Sequence, residues 1–184
     1  MRISSGIWQG QVIDYPKSGL LRPTQQKVKE AMVNMCRARF QDAKVLDLFS
    51  GTGALGYEAV SMGAELVDFV ELERRNAKSI SKNLASFKPL IDSDAEVTCM
   101  CSINFLSQLE QDVPEYDLIF ADPPYEKGWE KKTLELVAQK KCLTPNGYLI
   151  IESQNKEPMP EDYLYLKLYK TKVYGDSKLT IYTN

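Results

Sequence analysis

Lys44-Val-Leu-Asp-Leu-Phe49, followed by Ser50-Gly-Thr-Gly-Ala-Leu-Gly56, is the stretch that decides the fold. Its first six residues form an apolar run interrupted by one aspartate, the pattern of a short buried strand. Gly51, Gly53 and Gly56 then make a glycine-rich turn, and Ala54 to Met62 opens a helix. Strand, tight turn and helix in that order are the first half of a βαβ unit.

The pattern continues outward from this unit. Leu66 to Val70 is a second strand, ending at Glu71. Arg74 to Phe87 carries Ala77, Ile80, Leu84 and Phe87 at helical spacing, and Pro89 stops it. Strands follow at Ala95–Met100 and Tyr116–Ala121, with a short helix over about 103–111 between them. A helix near Glu130–Lys141 leads to a strand at Tyr148–Glu152. Such alternation implies a doubly wound parallel sheet.

The rhythm changes after a polar stretch, 153–162, that reads as a loop. Tyr163–Tyr174 and Lys178–Tyr182 alternate around Gly175-Asp176, as two antiparallel strands do. The expected fold is α/β: a mostly parallel seven-stranded sheet with an antiparallel C-terminal hairpin.

Upstream, residues 1–13 read as two short strands around Gly6 and Gly10. Pro16 to Pro23 is a loop, and Thr24 is the expected N-cap of a helix with Val28, Ala31, Met32, Met35 and Cys36 on one face. Residues 1–43 are therefore expected to be a small strand-and-helix extension, and 44–184 the sheet domain.

A length of 184 residues suits one α/β domain. No run of about 18 apolar residues and no apolar leader occurs, so a cytoplasmic, membrane-free protein is expected. The four cysteines lack zinc spacing and read as small buried hydrophobes of a reduced protein. The absence of histidine excludes a Ser-His-Asp triad, a Cys-His pair and His-ligated metals, and no metal is expected. Net charge is −2 but uneven: +5 over residues 1–44 and −7 over 45–184. A basic arm on an acidic domain suits a polyanionic partner.

Two motifs carry chemistry. Gly51, Gly53 and Gly56 satisfy G-x-G-x-x-G, and Glu71 lies 20 residues past Gly51. Both match the dinucleotide fingerprint, in which the acid takes ribose hydroxyls. Asp47, just ahead of the turn, would repel a pyrophosphate and attract an ammonium or sulfonium. The second motif is Asp122-Pro-Pro-Tyr125, placed where open α/β sheets bind ligands. Its two prolines end the preceding strand abruptly. Asp122 offers a carboxylate, Pro123 a free carbonyl on backbone of fixed shape, and Tyr125 an aromatic ring.

Val45–Gly56 together with Asp122-Pro-Pro-Tyr125 resembles the Rossmann-like class I methyltransferases that act on amines. With Leu21-Arg-Pro-Thr24, Asn83-Leu84 and Tyr174-Gly-Asp-Ser-Lys-Leu-Thr-Ile-Tyr182, nearly the whole chain resembles the RsmD family, guanine-N2 methyltransferases of 16S ribosomal RNA. The resemblance implies S-adenosylmethionine as methyl donor and an exocyclic amine as acceptor. The lone pair of such an amine is shared with its ring, so Asp122 and the Pro123 carbonyl would orient it as two acceptors, and Tyr125 would offer a stacking face for the flipped base. The resemblance implies further that Asp47, Gly51 and Gly53 line the methionine end and that Glu71 binds the ribose. The adenine-contacting position falls at Ser102-Ile103, where many relatives carry Asp or Asn. It also implies 16S rRNA as partner, within a partly or fully assembled small subunit. Arg2, Lys17, Arg22, Lys27 and Lys29 are the expected phosphate contacts. Family members commonly have basic residues around the glycine after the tryptophan; here the stretch is Trp8-Gln9-Gly10-Gln11. Bare RNA is therefore expected to be a poorer substrate than a protein-bound one. The alternatives are an adenine-N6 DNA methyltransferase, which uses the same tetrapeptide, and a nicotinamide-dependent oxidoreductase, which leaves the tetrapeptide and Asp47 unexplained.

Overall fold

The computed structural model describes residues 1–16, 23–87, 93–113, 115–125 and 127–184. Eight strands form one sheet in the order β3-β2-β1-β4-β5-β8-β7-β6. They are β1 (Lys44–Leu48), β2 (Leu66–Glu71), β3 (Asp94–Cys99), β4 (Tyr116–Ala121), β5 (Leu143–Gln154), β6 (Asp162–Tyr163), β7 (Leu166–Tyr174) and β8 (Ser177–Thr183). Strands β1 to β5 pair in parallel; β8 runs antiparallel between β5 and β7. The parallel sheet and its antiparallel C-terminal hairpin are as the alternation implied. The eighth strand, β6, straddles the end of the stretch read as a loop and the first residue of the strand expected from Tyr163, which the structure starts at Leu166. It pairs through two residues only, too few to leave a period-2 signal.

The helices are α1 (Pro23–Cys36), α2 (Ala54–Ser61), α3 (Arg74–Phe87), α4 (Ser102–Gln108) and α5 (Trp129–Lys140). Helix α1 starts at Pro23, one residue before Thr24, so Thr24 lies inside the first turn. Proline suits that first position because its missing N–H has no intrahelical partner there. The N-terminal strands reduce to one antiparallel bridge, Arg2 to Val12.

Two apolar layers flank the sheet. One contains Val28, Met32 and Cys36 of α1, Leu55 and Tyr57 of α2, and Ile80 and Leu84 of α3, packed on Val45, Phe69, Phe120 and Ile150. Ile3, Trp8 and Ile13 of the N-terminal segment share this layer, with the Trp8 and Phe87 rings 5.2 Å apart. The other holds Leu106 of α4 and Leu134 and Val137 of α5 against Leu48, Ile119 and Leu149. Cys36 and Cys142 are buried as expected of small hydrophobes, and burial pushes both thiols up to about 12. Cys99 is exposed and Cys101 half-buried, because they sit at the open end of edge strand β3. No helix among the described residues is long and apolar enough to cross a membrane.

Chain order reverses at β1, which has β2 on one side and β4 on the other. Ligands of open α/β sheets bind at such a switch point, outside the strand carboxyl ends. Both sequence motifs leave the sheet there.

Candidate active site

Strand β1 ends at Leu48, and the chain turns through Phe49, whose φ of 58° is uncommon for a residue with a side chain. Gly53 takes φ 79° directly before α2. At Gly56 the reason for glycine is packing. A Cβ there would lie 2.1 Å from the Phe69 ring of β2, so only glycine lets α2 sit this close to the sheet.

Two acids hold the turn. Asp47 is buried, and its Oδ2 accepts the Gly56 amide at 3.1 Å. Glu71, at the end of β2, accepts the Gly51 amide on Oε2 at 2.7 Å and the Glu73 amide on Oε1 at 2.7 Å. The Asn76 side-chain amide also donates to Oε1, at a long 3.5 Å; with about four acceptor positions on a carboxylate, Glu71 keeps one free and one only weakly engaged. Burial pushes the Asp47 carboxyl up to about 7; the Lys29 ammonium and the Gly56 amide oppose that shift, and the charges of Asp122 and Glu71 add to it.

Asp122 follows β4 directly. Its Oδ2 lies 3.7 Å from the Lys29 ammonium, and both side chains are largely shielded, 24 % and 16 % exposed. Pro123 is buried and Pro124 exposed. The Tyr125 hydroxyl donates to Glu152 Oε1 at 2.8 Å and lies 2.9 Å from Ser177 Oγ. Glu152 is fully buried near the end of β5, and its Oε2 has no hydrogen-bond partner among the described residues. The register that pairs Ala121 with Ile151 makes Asp122 and Glu152 the next neighbours. Burial first, and then the Asp122 charge, push the Glu152 carboxyl up to about 7, while bonds from Tyr125 and Ser177 oppose the shift.

These residues line a cleft of about 400 Å³ with Lys29, Phe49, Gly51, Glu71, Leu72, Asn76, Asp122, Pro123, Tyr125 and Trp129 on its walls. The Phe49 and Trp129 rings stack 5.6 Å apart, with the Lys127 ammonium 4.8 Å above the Trp129 ring. Leu72 is 56 % exposed, an apolar surface beside Glu71.

The structure thus brings Asp122, Pro123, Tyr125, Gly51 and Glu71 to one cleft, with Asp47 beneath the turn. Ser102 is buried at the start of α4, its Oγ accepting the Phe49 amide at 3.0 Å, and Ile103 packs partly into the α4–α5 layer. Of the cations, Lys29 faces Asp122, Lys27 is exposed on α1, and Arg2 donates to the Gly10 carbonyl at 2.6 Å. Lys17 and Arg22 lie outside the described residues. Sequence reading passed over Glu152, Phe49, Leu72 and Trp129. A glutamate ending an apolar strand beside Asp122-Pro-Pro-Tyr125 was the available signal for Glu152.

Sheet order, glycine turn and tetrapeptide edge together define the Rossmann-like methyltransferases, and solved structures of that description superpose on this chain. A putative methyltransferase from Escherichia coli, yhhF, aligns at TM-score 0.86 and 30 % identity, covering 99 % of this chain and 96 % of its own. A putative methylase from Haemophilus influenzae aligns at TM-score 0.83 and 31 % identity, covering 100 % and 97 %. The chain belongs to the family described as conserved hypothetical protein 95, whose model matches residues 1–183 and which includes the RsmD proteins. Among curated relatives, ribosomal RNA small subunit methyltransferase D of Haemophilus influenzae is 34 % identical over 169 residues, 91 % of this chain and 86 % of the relative. Its counterpart in Escherichia coli is 31 % identical over 182 residues, covering 99 % and 89 %.

Proposed function

We propose that this chain methylates the exocyclic N2 amine of a guanine in 16S ribosomal RNA, with S-adenosylmethionine as donor. One observation supports the cofactor above the others. Asp47, Glu71 and Asp122 lie close enough that the last two charges raise the first, and Lys29 is the cation that offsets them. Such a site favours a ligand carrying an ammonium and a sulfonium and disfavours a pyrophosphate, which counts against a nicotinamide dinucleotide. The residues present fit the group. Gly51 leaves room for its methionine end, and Gly53 shapes the turn above Asp47 because a Cβ there would meet Tyr57 and Ile80. The Glu71 carboxylate has acceptor capacity left for the ribose, and exposed Leu72 offers the adenine an apolar face. Ser102, tied to the Phe49 backbone, acts on that pocket by setting the Phe49 loop, and Ile103, packed in the α4–α5 layer, supports it from behind.

The bound donor supplies an activated methyl group; the protein's work is on the acceptor. The Asp122 carboxylate and the Pro123 carbonyl accept the two N–H groups of the amine, turn its lone pair towards the methyl and stabilise the positive charge that develops. The Tyr125 ring backs the base. Its hydroxyl, held by Glu152 and Ser177, fixes the ring plane. Small-subunit rRNA as the source of the base is supported by the relatives named ribosomal RNA small subunit methyltransferase D, whereas guanine as the target base rests on the resemblance to the RsmD family alone. In this reading the N-terminal segment with Arg2, Lys17, Arg22 and Lys27 approaches the phosphate backbone, and Lys29 reaches the rim of the cleft. The substrate is a partly or fully assembled small subunit.

The test is Asp122→Ala. Calorimetry should show S-adenosylhomocysteine bound within about threefold of wild type, while methyl transfer falls by at least about a hundredfold. Near-normal turnover in this variant overturns the assignment of Asp122.

A further inference from the structure

A second groove lies on the sheet face that carries α1, beyond the edge of that helix. Ala31, Asn34 and Met35 of α1 form one wall, and Tyr169, Lys170, Lys172 and Tyr174 of β7 form the other. Arg39, just past α1, and Tyr148 of β5 close its far end, with the Arg39 guanidinium 3.8 Å from the Tyr148 ring centroid. The Tyr148 and Tyr169 rings stack 5.2 Å apart at 27°. Arg39 is fixed by a second contact, an Nη1 bond to the Asn146 carbonyl at 2.9 Å.

Its charge is opposite to that of the sheet domain on which it lies. Residues 45–184 carry −7, yet the charged residues they contribute to the groove's lining are Lys170 and Lys172; Arg39 of the basic arm adds a third cation, and no acidic residue among the described residues lines it. Among the described residues, none of the three is paired with a carboxylate. Tyr169 is 58 % exposed despite its size. Two lysines, a guanidinium without a carboxylate partner and the exposed Tyr169 ring suit a single-stranded nucleic acid, whose phosphates meet the cations and one of whose bases stacks on the ring.

Its position links it to the cleft. Strand β7 ends at Tyr174, which pairs with Ser177, and Ser177 Oγ touches the Tyr125 hydroxyl. Helix α1 leads the same way, from Met35 in the groove to Lys29 at Asp122. From Tyr174 to Tyr169 the strand spans roughly 17 Å. A strand of RNA leaving Tyr125 therefore meets Tyr174, Lys172, Lys170 and Tyr169 in turn.

We propose that this groove holds the single-stranded RNA flanking the methylated base, with Arg39, Lys170 and Lys172 on its phosphates and Tyr169 stacking on one of its bases. The proposal rests on the RNA methyltransferase reading above and adds a docking surface on β7 to the basic N-terminal segment. It involves none of the residues that hold cofactor or reacting amine.

The test uses the full chain and fluorescence anisotropy of a labelled single-stranded RNA fragment across a salt series. Wild type is compared with the Lys170→Ala/Lys172→Ala double variant and with Tyr169→Ala. The double variant should bind at least about tenfold more weakly at 0.1 M salt, with the slope of log K against log salt reduced by about 1.4, two phosphates at roughly 0.7 each. Tyr169→Ala should lose about fivefold or more with the slope unchanged. In methyl transfer, both should raise KM for RNA and leave kcat and S-adenosylhomocysteine affinity near wild type. If wild type binds RNA and the double variant keeps its slope and affinity, the groove proposal is overturned and the RNA methyltransferase reading stands. If that variant loses activity only on assembled subunits, again with an unchanged slope, the groove docks a ribosomal protein and the proposal is likewise overturned. Failure of wild type to bind or methylate any RNA overturns the underlying reading as well.

Discussion

The Tyr125 hydroxyl donates to Glu152 Oε1 at 2.8 Å, and this contact ties the tetrapeptide after β4 to the end of β5. It joins a residue that faces the cleft to a buried carboxylate beside Asp122. Tyr125→Phe keeps the ring and removes the donor. A buried acceptor without its partner costs about 1–3 kcal/mol, so the melting temperature should fall by roughly 2–10 °C for a chain of this size. Methyl transfer should slow by less than in Asp122→Ala, since the stacking face remains. Calorimetric melting with parallel turnover assays checks both, and an unchanged melting temperature would show that the contact contributes nothing.

Asp47 and Glu152 set the pH dependence. Burial raises both carboxyls to about 7, from ordinary values of 3.8 and 4.5. Between roughly pH 4 and pH 7 the folded chain therefore holds protons that the unfolded chain has released. Stability is greatest at the acid side of that window and declines as pH rises through it. Urea midpoints should fall from pH 5 to pH 8, and Glu152→Gln should flatten part of that fall by an amount on the order of 2 kcal/mol. A wild-type midpoint that rises with pH over this range would refute the sign.

The same carboxyls act on ligand affinity. A cationic ligand favours ionised Asp47, so S-adenosylmethionine should bind more tightly at pH 8 than at pH 6. Titration calorimetry at both values checks this. Equal affinity would mean that Asp47 is ionised throughout.

Gly56→Ala should separate α2 from the sheet. The new methyl meets the Phe69 ring at 2.1 Å, and overpacking of this kind costs typically about 1–3 kcal/mol. The Asp47–Gly56 contact should loosen with it, so S-adenosylhomocysteine affinity should drop alongside the denaturation midpoint. Loss of stability with fully retained affinity would separate the turn from cofactor binding.

Glu71→Gln keeps the shape of the side chain but removes its charge and one acceptor. Weaker caps on Gly51 and Glu73 and a poorer ribose contact should raise the S-adenosylhomocysteine dissociation constant about tenfold or more. A value within twofold of wild type would exclude Glu71 from the ribose site.

The parts of this fold that were legible in the sequence are those that local residue types force. Three glycines after an apolar run leave few backbone choices, and two prolines after Ala121 end a strand in any context. The sheet hairpin around Gly175 was legible for the same reason. What was not legible depends on register and crossing. Glu152 matters because Ala121 aligns with Ile151, a pairing that no single stretch encodes. Strand β5 begins at Leu143, five residues before the apolar run at Tyr148, because an irregular register absorbs Pro145 and Asn146. Lys29 read as one of several helix-surface cations, and only the packing of α1 over the sheet turns it towards Asp122. Phe49 and Trp129 are 80 residues apart in sequence and meet only when the loops after β1 and β4 converge.

Whether the Asp122 edge methylates a guanine of small-subunit RNA is tested most directly with tritium-labelled S-adenosylmethionine, incubated with small ribosomal subunits from a strain lacking the corresponding enzyme and followed by nucleoside analysis. Label should appear in N2-methylguanosine with wild type and not with Asp122→Ala. Label in N6-methyladenosine, or none in RNA, would contradict this assignment.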